Sequence, residues 1–145
     1  LQNHAPLIRG WKDTLALVKE VNSPWLKVCL DLPIFENHDK EYVANAVRTV
    51  GNLQVHSHFG GEYYRDANGT IQPRVLDYYA GGKTPDYAHY LKLMSEIGYK
   101  GYFTFELCHN VLNEDHTYAG IEVVHEQVRL AREYMSNIVK QNGKG

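Results

Sequence analysis

A chain of 145 residues with 43% hydrophobic and 12% aromatic content carries enough apolar material for one globular domain with a real core. Its formal net charge of −2, with no long run of Lys or Arg, lacks the electrostatic footprint of a nucleic-acid or membrane-surface binder and leaves a small neutral or anionic substrate as the expected ligand. The two cysteines, Cys29 and Cys108, lie far apart and form no C-x-x-C pair, so neither a disulfide framework nor a cysteine zinc cage is expected and a reducing cytoplasm is the default location. No apolar run is long enough to span a bilayer.

In chain order, short strand-like runs alternate with amphipathic helical stretches, the pattern of parallel βα units. The chain opens without Met, inside what reads as the end of a strand, Leu1 to His4. A helix follows from Trp11 to Val21, with Trp11, Leu15 and Val18 on its apolar side and Leu17 and Val21 as further candidates. Leu26 to Asp31 is the second strand. Lys40 to Val50 is the second helix, turned inward through Val43, Ala46, Val47 and Val50 and closed by Gly51. The third strand, Leu53 to His58, runs into a loop from Phe59 to Lys83, long enough to suggest a functional role. Thr84 then offers a helix cap with Pro85 at the first helical position, and Tyr87, Leu91, Met94 and Ile97 keep helical spacing up to a stop at Gly98. The fourth strand is Tyr102 to Cys108. The last helix, from about Gly120 to Lys140, carries Ile121, Val124, Val128, Ala131, Met135 and Ile138 at spacings of three and four. No linker interrupts the chain, which reads as a single domain.

Two features favour the carboxyl-terminal half of a (β/α)₈ barrel, an α/β TIM-barrel half, over a small doubly wound sheet. The first strand is barely present. In the other three, one face is apolar (Leu26, Val28, Leu30; Leu53, Val55; Phe103, Phe105, Leu107), while the opposite face reads Lys27, Cys29, Asp31; Gln54, His56, His58; Tyr102, Thr104, Glu106. A flat sheet covered by helices on both sides would be apolar on both faces, whereas a barrel interior becomes polar toward its carboxyl end, where active sites of this architecture sit.

Gln2, Asp31, His58 and Glu106 then stand at four successive strand ends, all on the inferred inner face. Taken singly, each has a structural reading: the carboxylates cap helices or loops, and the histidines are satisfied polar groups. As a set they make a site for a hard or borderline divalent cation, because burying two carboxylates without a cation or partner is costly. Mn²⁺ is the expected metal, with Mg²⁺, Co²⁺ and Zn²⁺ as alternatives.

The segments LQNHAPL, VCLDLPIFENHD, VHSHFGGEYYRD and GYKGYFTFELCH resemble the last four strands of the xylose-isomerase-like superfamily of sugar isomerases and epimerases, which also includes the endonuclease IV group. The resemblance covers nearly the whole chain. It implies a metal held at the strand ends through Glu, Asp, His and Glu, which carries over to Asp31, His58 and Glu106. Gln2 departs from the pattern: its amide oxygen can ligate, but it carries no charge and cannot shuttle a proton, so the family's two-base design is left with Glu106 alone. A cation balanced by only two carboxylates is a stronger Lewis acid and a less tightly held ion. His4, on the same face as Gln2, is a candidate replacement proton carrier. Arg65 falls near the family's substrate-binding Arg, and reads equally as a solvated loop residue. Ile34 stands where relatives often have His, with Asn37 and His38 a little beyond; His38 and His109 are candidate substrate contacts. His56 is expected one layer below the metal, and Tyr63, Tyr64, Tyr78 and Tyr79 either wall a sugar or pack.

The implied activity is aldose–ketose isomerisation or epimerisation beside a carbonyl, with Glu106 taking the proton and an enediolate held by the cation. A metal-dependent lyase or deglycosidase acting on a keto-glycoside uses the same proton abstraction and suits a single base equally well. An endonuclease IV-like nuclease ranks low, because Ile34 and Phe59-Gly60-Gly61 stand where that group has ligands; a non-catalytic partner subunit is the remaining class. The expected partners are a sugar substrate and a complementary half-barrel, supplied by more chain, another subunit or a second copy.

Overall fold

The computed structural model describes residues 1–5, 8–76, 79–107, 110–113 and 117–142. After a short antiparallel pair, β1 (His4–Ala5) and β2 (Ile8–Arg9), helix α1 (Trp11–Val21) leads to β3 (Val28–Asp31). Helix α2 (Lys40–Val50) precedes β4 (Gln54–Gly60). A second antiparallel pair, β5 (Tyr63–Arg65) and β6 (Ile71–Pro73), comes before α3 (Tyr87–Glu96), β7 (Tyr102–Glu106) and α4 (Ile121–Asn142). β3, β4 and β7 form one parallel sheet in that order, and Gln2 adds a single parallel bridge to Cys29 on the free side of β3. The α/β class with parallel strands is therefore the observed one.

The helices cover one face of this sheet. Trp11, Leu15 and Val18 of α1, Val43, Ala46, Val47 and Val50 of α2, Tyr90, Leu93 and Met94 of α3, and Leu130, Ala131 and Met135 of α4 form the core over Val28, Leu30 and Phe59. The boundaries of α1 and α2 coincide with the sequence expectation. Gly51 closes α2 at φ +54, a conformation L side chains rarely adopt. The uncovered face carries half-buried Cys29, His56 and His58, while Thr104 and Tyr102 are exposed.

Several expectations need correction. The first strand is not Leu1 to His4. Pairing with β3 amounts to the Gln2–Cys29 bridge, and His4 turns back into the β1–β2 hairpin. Gln54 does not face the barrel interior. Where β4 meets β3 the register slips by one, Val28 pairing with Gln54 and Cys29 with His56, so Gln54 turns to the helix layer and donates to the Tyr90 hydroxyl at 2.8 Å while Val55 is exposed. Asp86, not Thr84, caps α3, because its carboxylate accepts the His89 N–H at 2.9 Å. The expected loop from Phe59 to Lys83 contains the β5–β6 hairpin, whose turn places Gly69 at φ +79 beside Asn68. Leu17 and Val21 of α1 and Ile121 and Val128 of α4 are exposed, not core. Among the described residues no helix is long and apolar enough to cross a membrane.

Candidate metal centre

β3, β4 and β7 end at the same rim, and their register puts Asp31 beside His58 and His58 beside Thr104, with Glu106 one step farther along next to Gly60. Strand alternation then turns Asp31, His58 and Glu106 to the uncovered face. One ligating atom from each lies within 4.8 Å of the others. His58 Nδ1 stands 3.2 Å from Glu106 Oε2 and 3.8 Å from Asp31 Oδ2. The Gln2 amide completes the ring, its nitrogen 2.6 Å from Asp31 Oδ2 and 3.1 Å from His58 Nδ1.

Burial dominates the electrostatics of the site. Asp31 is 3% exposed, and burial pushes its carboxyl up to about 6; Glu106 adds to the rise, while the Gln2 hydrogen bond and His58 oppose it. Among the described residues, Asp31 Oδ1 is buried with no hydrogen-bond partner. Such an oxygen is expensive unless something binds it. An orphaned carboxylate oxygen beside a second carboxylate, an imidazole and a carboxamide is a donor set that fits a hard or borderline divalent cation. Beneath this ring, the Cys29 sulfur is 3.9 Å from His58 Nδ1, and burial with the Asp31 charge pushes its thiol up to about 12, keeping it protonated. His56 stacks edge-on against His58 at 4.8 Å, and burial, then His58, lowers its pKa.

Gln2, Asp31, His58 and Glu106 are thus brought together. His4 lies on β1 and lines a cavity of about 510 Å³ with Asn3, Arg9, Ile34 and Glu36. His38 bonds through Nε2 to the Leu32 carbonyl at 2.9 Å, its Nδ1 is buried with no partner among the described residues, and it lines a cavity of about 510 Å³ with Asn37 and Lys83. Arg65, on β5, pairs with Glu133 of α4 at 2.8 Å and with the Gly69 carbonyl at 3.1 Å. His109, Cys108 and Tyr78 lie outside the described residues. Tyr63 is buried against Phe105 and Tyr134, and Tyr79 is buried beside His38. Asn3 went unnoticed in the sequence. It is 2% exposed, and its side chain bonds both backbone groups of Asp31. Only the polar type of a residue next to Gln2 could have marked it.

The fold compares with solved structures over 97% of the chain. It superposes on D-psicose 3-epimerase, crystallised in the presence of D-fructose, with a TM-score of 0.60 at 22% identity, covering 46% of that chain. It superposes on a D-tagatose 3-epimerase-like protein with a TM-score of 0.51 at 18% identity, covering 48%. The chain therefore spans about half the length of these proteins and has the fold of half their barrel. No curated protein sequence matches it significantly. The profile of the xylose isomerase-like TIM barrel family matches residues 1–133, and the chain belongs to that family.

Proposed function

We propose that this chain is the metal-binding, carboxyl-terminal half of a divalent-metal-dependent sugar epimerase or isomerase, folded as a single domain. The observation that carries the reading is the convergence of Asp31, His58 and Glu106 within 4.8 Å at one rim of the sheet, with a buried Asp31 oxygen that has no partner among the described residues. Family membership and the likeness to two sugar epimerase structures support it.

Asp31, His58 and Glu106 would hold the cation, and Gln2 would join them through its amide oxygen, which a half-turn of the amide exchanges with the nitrogen now facing Asp31. A bound Mn²⁺ or similar ion supplies a Lewis acid that acidifies the C–H beside a substrate carbonyl. Glu106 is the base that takes this proton. It is the more open carboxylate, with its side chain 34% exposed against 4% for Asp31, so substrate can reach it. Gln2 orients and does not transfer a proton, because a carboxamide has no useful basicity near neutral pH. His4, His38, His109 and Arg65 are the candidate substrate contacts of this proposal.

The test is solvent exchange. The intact barrel, loaded with Mn²⁺ and incubated with D-fructose in deuterium oxide, is expected to place deuterium at a carbon next to the carbonyl. Metal binding without exchange into any ketose or keto-glycoside would overturn the enzymatic reading and leave a binding protein.

A further inference from the structure

Backbone pairing between the first segment and β3 stops after one rung. Gln2 bridges Cys29, and the Cys29 N–H donates to the Leu1 carbonyl at 2.8 Å. A continued parallel ladder would send the Asp31 N–H to the backbone carbonyl of Asn3. The Asn3 side chain takes that place: its Oδ1 accepts the Asp31 N–H at 2.6 Å, and its Nδ2 donates to the Asp31 carbonyl at 3.2 Å. The N–H and C=O of one strand residue point to the same side, and a carboxamide offers an acceptor and a donor next to each other, so one Asn can satisfy both. This frees the backbone of His4 to leave the sheet for the β1–β2 hairpin. Alternation turns Gln2 to the other side, over the Asp31 carboxylate.

We infer that Asn3 is the positioning residue of the metal centre: its buried amide replaces the missing ladder rung, fixes the backbone of Asp31, and so sets the direction of the carboxylate that meets Gln2 and His58. The side chains of two consecutive residues hold Asp31 from two sides, Asn3 at the N–H and C=O of Asp31 and Gln2 at its carboxylate. The inference rests on the metal reading above. A ligand whose backbone is loosened keeps its chemistry and loses its aim, which typically weakens metal binding by about tenfold to a hundredfold.

Mn²⁺ affinity of the intact barrel, read from the electron paramagnetic resonance signal of free Mn²⁺, tests it with Tyr90→Phe as control. Tyr90 is fully buried and bonds Gln54 and Ser57 from the helix layer, so its loss reports on stability alone. Asn3→Ala is expected to weaken Mn²⁺ binding by about tenfold or more, whereas Tyr90→Phe lowers Tm and leaves affinity near wild type. Should Asn3→Ala fail to fold, Asn3→Gln, which keeps both groups one methylene farther out, takes its place with the same expectation. Wild-type affinity in the Asn3 variant, or an equal loss in Tyr90→Phe, overturns the inference. Absence of Mn²⁺ binding in the wild type overturns the metal reading itself and this inference with it.

Discussion

Asp31 is nearly inaccessible to water, sits beside a second carboxylate and keeps one oxygen without a partner among the described residues, so a bound cation would stabilise its ionised form. Asp31→Ala in the intact protein should abolish metal binding, and an unchanged metal content on elemental analysis would remove Asp31 from the site. Its folded pKa of about 6 lies above the ordinary 3.8. Without metal the native state therefore holds its proton more tightly than the unfolded chain, and stability should fall as pH rises from about 4 through about 6. A cation binds only the carboxylate, so the Asp31 deprotonation should make Mn²⁺ affinity climb over the same interval. Thermal melts with and without Mn²⁺ across that range check both signs; a metal-induced shift in Tm that is independent of pH would contradict them. Glu106→Gln should abolish solvent-proton exchange into a keto-sugar even where metal remains, while Gln2→Glu should keep the metal and restore a second carboxylate base. Retained exchange in Glu106→Gln together with its loss in His4→Ala would make His4 the base and move the elimination chemistry ahead of epimerisation.

Across elements, the single-residue slip at the start of β4 decides which side chains meet the helices. It delivers Gln54 and Ser57 to Tyr90 of α3, whose hydroxyl bonds both, at 2.8 and 2.9 Å. Tyr90→Phe should cost about 1–3 kcal/mol, because it strands a buried amide donor. A loss well under that range in chemical denaturation would show that water or a rotamer change rescues Gln54. The same slip explains what the sequence could not disclose. Alternation counted from His58 puts Gln54 inside and Val55 outside, and nothing in Leu53 to His58 announces an extra residue. Asp31 and Glu106 were legible because each closes a regular strand, where a period of two holds without interruption. The β5–β6 hairpin did carry a signal, Asn68-Gly69 between Tyr63-Tyr64-Arg65 and Ile71-Gln72, which a reading centred on the glycines as loop residues passes over. Asn3 was illegible for another reason: its partner lies 28 residues away and is backbone, so no side-chain pairing rule reaches it.

At the scale of the whole molecule, the sheet ends on β7, which among the described residues pairs with β4 alone, so one edge of its backbone has no neighbouring strand. Beside that edge runs an apolar groove of about 600 Å³ between β7 and α4, lined by Phe59, Phe103, Phe105, Val128, Met135 and Val139. Val128 and Val139 are 46% and 52% exposed although they belong to a helix that packs on the sheet, and Tyr102 on the open inner face is 80% exposed. An unpaired edge next to exposed aromatic and branched side chains is a surface that pairs with whatever strand and helix it meets. The likeness to barrels roughly twice as long supports a complementary half as its natural cover. The 145 residues expressed alone should therefore self-associate or bind a hydrophobic dye strongly, and should show no exchange activity even with Mn²⁺ present. Supplying the missing half, as a longer chain or a second polypeptide, should suppress the dye signal, sharpen the unfolding transition and bring activity with it. Light scattering on a size-exclusion column, combined with the exchange assay, decides the matter. A monodisperse monomer that unfolds cooperatively and turns over a keto-sugar would overturn the half-barrel account, because the metal ring would then be closed by these residues alone.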